Sequence, residues 1–366
     1  MTITAVDDAE FVTRIGGRAN FSGVVYSGFV GGENETSLSA LPGNVFTVGS
    51  VVRLSQAQAL LNETATPTNV ETDVRNEDRT IGFSTFQNVL RPVGFDARNY
   101  AITVERGDYT IVAADTLLVR AQLSQPQPTD MKLEYGALPS YSIVAEYLNG
   151  KQVISSSDNS NNFNIAVNNI TASNLGVATI SQGNSSATFK LAPENMQLLA
   201  SEGSLLSSSG LLKASGYILR PLETSITGSN FRNMVLVGAL TVKPKEINVN
   251  NLGINRIEKV YDGSSRIEGL DLNYNKGTAN VQTADNLFIV GAGNFQTTGV
   301  VNGVSTHVND RHVGVGKRVN INLALRGNDA RNYKLSRNEY INNVGVITQL
   351  SSVQWVGQNE GVWSNP

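Results

Sequence analysis

Two histidines flank an aspartate in HVNDRH, and His307, Asp310 and His312 are the first residues with the chemistry to hold a metal. Two imidazoles on one helix face need an i, i+4 spacing. On a strand, an offset of five sets them on opposite faces. The segment therefore reads as solvated loop. DLNYNKG begins like a calcium loop, with Asp271, Asn273 and Asn275 at positions 1, 3 and 5. Lys276 replaces the glycine such a loop requires, and Gln282 stands where the bidentate glutamate belongs. An Asn-rich hairpin turn, from Asp271 to Gly277, is the simpler reading.

Phosphate and nucleophile chemistry fare no better. VGVGKR holds Gly316 and Lys317, but no Ser or Thr follows, and the first glycine of a phosphate loop would fall on Arg311. GAGNFQ has Gly291 and Gly293, with Gln296 in place of the third glycine. No GxSxG elbow occurs, and the sparse carboxylates lie mostly in turns. The expectation is no catalytic residue, no cofactor and no metal site: a chain that is not an enzyme.

Composition narrows the class. Hydrophobic residues make up 40% and charged residues 16% of 366, against a usual charged share of about 25%. Gly, Ser, Thr and Asn fill the deficit, as in exposed β-structure rich in turns. The net charge is −3 with no basic stripe, so nucleic acid is not an expected partner. No stretch approaches the roughly 20 apolar residues of a membrane helix, so no membrane insertion is expected. The chain has no cysteine. That suits passage through an oxidising periplasm, though chance in a Cys-poor organism explains it equally. The N-terminus lacks the basic and apolar regions of a signal peptide. Both ends look internal, so an excised fragment of a longer protein is expected. Asn20, Asn34, Asn62, Asn169 and Asn184 head NxS/T sequons, which would be surface sites.

The elements that must carry these residues repeat. GFDARNYAI at Gly94, GSNFRNMVL at Gly228 and GNDARNYKL at Gly327 are similar, and each precedes an apolar run. The spacing is that of whole domains, not solenoid rungs. Gly94 and Gly327 supply a turn suited to positive φ. Asp96 and Asp329, with Asn99, Asn233 and Asn332, suit Asx-type turns. Tyr100, Met234 and Tyr333 are expected to drop onto the core. RVNINLALR alternates, with Val319, Ile321, Leu323 and Leu325 on one face. FNIAVNN alternates through Phe163, Ile165 and Val167. Such period-two patterns predict half-buried antiparallel strands. Helical signal is confined to LSQAQALLNE, through Leu54, Ala57 and Leu61, and to PENMQLLAS, where Pro193 suits a first turn. AQLSQPQPTD and TVKPKEINVN read as short linkers, and SSSDNSNN as a loop.

KVYDGSS at 259–265 precedes NDRHVGVGKRVNINLALRGNDARNY and then NVGVITQ. Over about 245–350 this resembles the YDG-type repeat of bacterial surface proteins. LEYGALPSYSI, GYILRP and GALTVKP in the preceding stretch resemble the related MBG-type repeat. GVVYSGFVGGE and GFDARNY resemble the same group more weakly, and VWSNP is similar to the start of another exoprotein segment. The expected domains are an MBG-like module at 1–120, a second at 121–243, a YDG-like module at 244–350 and the start of a further segment at 351–366. The expected fold is all-β: elongated tandem antiparallel modules, sandwich or β-grasp-like, with one or two short helices.

The resemblance, to repeats of filamentous haemagglutinin-like exoproteins, implies a secreted or cell-surface location. It implies a structural stalk or spacer in a large bacterial adhesin, of the kind that serves cell adhesion and biofilm. The partners would be neighbouring modules of the same chain. The alternative is direct binding of host glycans or matrix polysaccharide through loops and tyrosines.

Overall fold

The computed structural model describes residues 1–6, 8–11, 24–29, 33, 38, 46–47, 84–91, 99–105, 107–112, 115–123, 132–150, 152–171, 174–194 and 204–352. Contacts divide the chain into two compact units, one of residues 1–245 with 331–334, the other of 246–330 with 335–366. The described secondary structure is strand, apart from short 3-10 turns at 159–161, 249–251 and 330–332. The all-β reading holds.

The first unit opens with β1 (Thr2–Ala5), β2 (Asp8–Phe11), β3 (Val24–Ser27), β4 (Phe46–Thr47), β5 (Ser84–Arg91), β6 (Thr103–Glu105) and β7 (Gly107–Val112). They form two small sheets, β3-β1-β6 and β2-β7-β5-β4. A nine-stranded sheet follows. It is built from β8 (Thr116–Leu123), β9 (Lys132–Glu134), β10 (Tyr141–Asn149), β11 (Gln152–Ser155), β12 (Phe163–Asn168), β13 (Val177–Gln182), β14 (Ser185–Glu194), β15 (Gly216–Thr227) and β16 (Asn233–Lys243). Its path runs β11-β10-β8-β16-β15-β14-β13-β12, with β9 also on β16. β8 carries the chain across residue 120 without a break. Ala9, Phe11, Val112, Leu118, Leu148 and Val237 are buried together, so strands from both halves of this unit share one apolar cluster. At its polar margin Asp8, almost wholly buried, meets Arg120 at 2.9 Å.

Two short strands, β17 (Lys245–Ile247) and β23 (Tyr333–Leu335), lie where the chain passes between the units. The second unit is otherwise β18 (Ile257–Val260), β19 (Arg266–Asp271), β20 (Phe288–Val301), β21 (Val304–Asn309), β22 (Gly314–Arg326) and β24 (Glu339–Thr348). The sheet order is β18-β24-β22-β20-β19, with β21 on β20. The alternation in β22 is realised: Val319, Ile321 and Leu323 are buried while Asn322 and Arg326 face solvent. Ile257, Ile289, Phe295 and Ile347 complete this core. Phe163, Ile165 and Val167 of β12 are only half-buried.

Two expectations need correction. The sheets are mixed: β1/β6, β2/β7, β8/β16, β9/β16 and β18/β24 are parallel pairs. Alternation within a strand reports which face is buried, not which distant strand lies alongside. Pro193 does not start a helix, since it and Glu194 end β14 opposite Leu219 and Ile218. A residue with fixed φ and no N–H is tolerated at a strand end as well as in a first helical turn. LSQAQALLNE and the rest of PENMQLLAS lie outside the described residues.

Candidate functional site

The Tyr-Asp-Gly turn joins β18 to β19, the two edges of the second unit's main sheet path. Ile257 to Val260 pair in parallel with Gly345 to Thr348, and the Tyr261 N–H extends that ladder by donating to Thr348 O at 2.9 Å. Asp262 then accepts from Ser264 N at 2.9 Å through Oδ1, an Asx-type turn. Gly263 takes φ +82°, a conformation costly for any residue with a Cβ.

Lys259 closes the turn from beneath. Its ammonium reaches Asp262 Oδ1 at 2.7 Å, and donates to Arg266 O at 2.8 Å and to Ser264 O and Oγ at 3.2 Å. Hydrogen bonds from Lys259 and then the Ser264 N–H hold the Asp262 carboxyl below the usual carboxylate range. Beside the turn lies a groove of about 390 Å³, walled by Glu258, Lys259, Asp262, Ser264, Arg266 and Glu268 among others. Its charges are largely matched within the protein: Arg256 grips Glu258 with two bonds of 2.8 Å, and Arg266 meets Glu268 at 2.8 Å. The groove can offer hydrogen bonds to a polar ligand, at the cost of competing with these pairs.

The segments weighed for metal or phosphate chemistry are engaged in turns and strands of the fold. His307 and His312 are exposed, but His307 lies on β21 opposite Thr298 rather than in the expected loop. Asp310 between them accepts from His312 N at 2.9 Å and pairs with Lys317, the lysine of VGVGK. Burial acts to raise the Asp310 pKa, but Lys317 and the His312 N–H outweigh it and leave the carboxyl below its ordinary value. In the calcium-like segment, Asn275 Oδ1 accepts from Gly277 N at 2.8 Å and Thr278 N at 3.1 Å. The Lys276 ammonium donates to the Thr283 and Asp285 carbonyls at 3.0 and 2.6 Å. Among the described residues no group of three His, Asp or Glu is arranged to hold a metal ion. Gly291 and Gly293 serve packing, since a Cβ on Gly293 would lie 2.1 Å from Asn320 O.

The corners at Gly228 and Gly327 lie within the described residues, that at Gly94 largely outside them. Gly327 has φ +107°, as its motif predicted, and Asp329 is buried. Asp329 bonds across the fold, accepting from Asn286 N at 2.8 Å. Tyr333 is fully buried. Tyr100 and Met234, expected to match it, are only half-buried. Asn99 and Asn233 are exposed, whereas Asn332 is buried and accepts from Ala214 N at 2.9 Å. Gly94 and Asp96 lie outside the described residues. Lys259, Ser185 and Asn286 were not singled out from the sequence. Lys259 had a signal, a cation three residues before an aspartate that precedes a glycine. Ser185 and Asn286 had none, because their partners are more than 40 residues away.

A YDG domain is matched over residues 243–340. The second unit therefore carries a YDG-type module, and the Tyr-Asp-Gly turn lies inside the matched region. No curated protein and no solved structure matches the chain. Among the described residues, no helix is long and apolar enough to cross a membrane.

Proposed function

We propose that this chain is a structural stalk or spacer from a large secreted bacterial surface adhesin, and that it performs no catalysis. The observation that carries the reading is the recurrence of one building plan. In the MBG-like stretch, Tyr135 N donates to Lys243 O, the last residue of β16, at 2.9 Å. In the YDG-type module, Tyr261 N does the same to Thr348 O, the last residue of β24. A Tyr-Gly or Tyr-Asp-Gly turn thus follows a short strand laid parallel to the module's closing strand. Repetition of a scaffold suits a spacer, and the groups best placed for chemistry are engaged in making its turns. Its partners are then neighbouring modules, and its location the cell surface or the medium.

The alternative, glycan or polysaccharide binding, is favoured by the polar groove and the half-exposed Tyr261 beside it. A glycan array probed with the purified chain separates the two. The stalk reading expects no saturable binding. Binding of a defined glycan that Tyr261→Ala abolishes would replace it with a binding module.

A further inference from the structure

The parallel pairs are placed where tension would fall. In the first stretch, Thr2–Thr4 pair with Thr103–Glu105 and Asp8–Phe11 with Tyr109–Val112. In the second, Thr116–Ala121 pair with Asn233–Gly238 and Lys132–Glu134 with Thr241–Lys243. In the third, Ile257–Val260 pair with Gly345–Thr348. Each time an early strand of the stretch lies parallel to a late one. Hairpins cannot produce this, because they make antiparallel neighbours, and parallel pairs need long crossovers. Three stretches of differing sequence have nonetheless arrived at it.

We propose that these pairs are shear clamps, which make each module a load-bearing element. The inference rests on the stalk reading. In such a parallel pair the chain enters at one end and leaves at the other. Tension between entry and exit therefore pulls the two strands past each other along their axes. Every rung is loaded at once, so the bonds must yield together. Where both handles lie at the same end, the rungs open one at a time. A rung contributes only modestly at equilibrium, but survival under load depends on the rate of unfolding. In the YDG-type module the Tyr261 N–H adds a last rung, and Lys259 and Asp262 fasten the turn behind it.

The absence of cysteine lets a pair of introduced thiols define the pulling axis on the whole chain. Asn255→Cys with Ser351→Cys loads β18 and β24 in shear. Asn255→Cys with Asn343→Cys peels β18 from its Ile257 end. All three positions are exposed. In single-molecule pulling, the shear pair should rupture at roughly twice the force of the peeling pair or more, because a ladder rather than a single rung is loaded. The event is recognised by release of residues 257–348, on the order of 300 Å of extended chain. Tyr261→Pro, which removes the N–H, should lower the shear force, and Tyr261→Ala, which keeps it, should not. Equal forces along the two axes overturn the clamp, whether or not the proline variant folds. An unchanged force in a folded Tyr261→Pro chain overturns the role of the last rung. Glycan binding on the array would reject the spacer while leaving these forces as they are. Equal forces would reject the clamp and leave an unloaded spacer standing.

Discussion

The corners at Gly228 and Gly327 reach the same geometry with different chemistry. Both glycines take φ above +100° and press on the residues that lead into the partner strand. A Cβ would lie 2.4 Å from Ser185 Cα in one case and 2.3 Å from Asn286 O in the other. At the first corner the Ser185 hydroxyl accepts from Ser229 N and Asn230 N, at 3.0 and 2.9 Å. At the second, Asn286 accepts from Asn328 N through its side chain and from Asp329 N through its backbone, and its own N–H donates to Asp329. The following core residue also moves: Phe231 is buried at the first corner, whereas at the second Ala330 is half-buried and Tyr333 fills the core. The glycine and the close approach are fixed by backbone sterics. The polar partner and the position of the large apolar residue are free to vary.

The largest effect is expected at Tyr333. Its ring packs edge-on against Tyr135 at 5.3 Å, and both belong to the first unit. Tyr333→Ala should cost about 3–5 kcal/mol in denaturant unfolding. Hydrogen exchange should show protection lost around Tyr135, whose hydroxyl lies 2.6 Å from Ser207 Oγ. Tyr100→Ala, at the half-buried equivalent in the first repeat, should cost only about 1–2 kcal/mol. Equal losses would mean that these two corners are alike after all. A loss confined to β18–β24 would contradict the placement of residues 331–334 with the first unit.

The glycines give the next effect. Gly327→Ala and Gly228→Ala combine left-handed backbone with a clash against main chain, and each should cost about 3 kcal/mol. Gly263→Ala carries the backbone penalty alone, because nothing lies within 4 Å of its Cβ position. It should cost about 1–2 kcal/mol. Thermal or denaturant unfolding of the three variants decides the point. If Gly263→Ala proved as damaging as Gly327→Ala, the close approach would contribute nothing and φ alone would account for both.

How much of this could be read beforehand follows from the range of each interaction. The strand faces were legible because alternation is local, as Val319, Ile321 and Leu323 show. Positive φ at Gly327 was legible from turn chemistry, as was the exposure of His307 and His312. The parallel early–late pairs were not, since nothing in KVYDG or NVGVITQ states that the two lie side by side. Asp329 illustrates the limit most sharply. Its type suggested a bond within its own turn, and nothing in the sequence announced that it also accepts from Asn286 N, 43 residues away. The candidate groove was hidden for the same reason, because its walls belong to strands that do not pair with each other.

The smallest expected effect compares the two lysine–aspartate pairs of the YDG-type module. Asp310 and Lys317 are both close to buried, with side chains 11% and 9% exposed, whereas Asp262 is 57% exposed beside Lys259. Both carboxyls are held below their ordinary values. A depressed folded pKa means that the unfolded chain binds more protons, so the stabilisation is present above the ordinary carboxylate value of about 3.9 and is lost as pH falls through the lower folded value. Asp310→Asn should therefore cost about 1 kcal/mol at pH 7 and nothing at pH 2, which flattens the acid limb of a stability–pH curve. Asp262→Asn should flatten it less, because solvent screens an exposed pair and the amide oxygen still accepts from Ser264 N. Chemical denaturation of both variants at intervals from pH 2 to pH 7 measures the two slopes. A steeper acid limb in either variant would reverse the sign of the linkage, and equal flattening would show that burial does not distinguish the pairs.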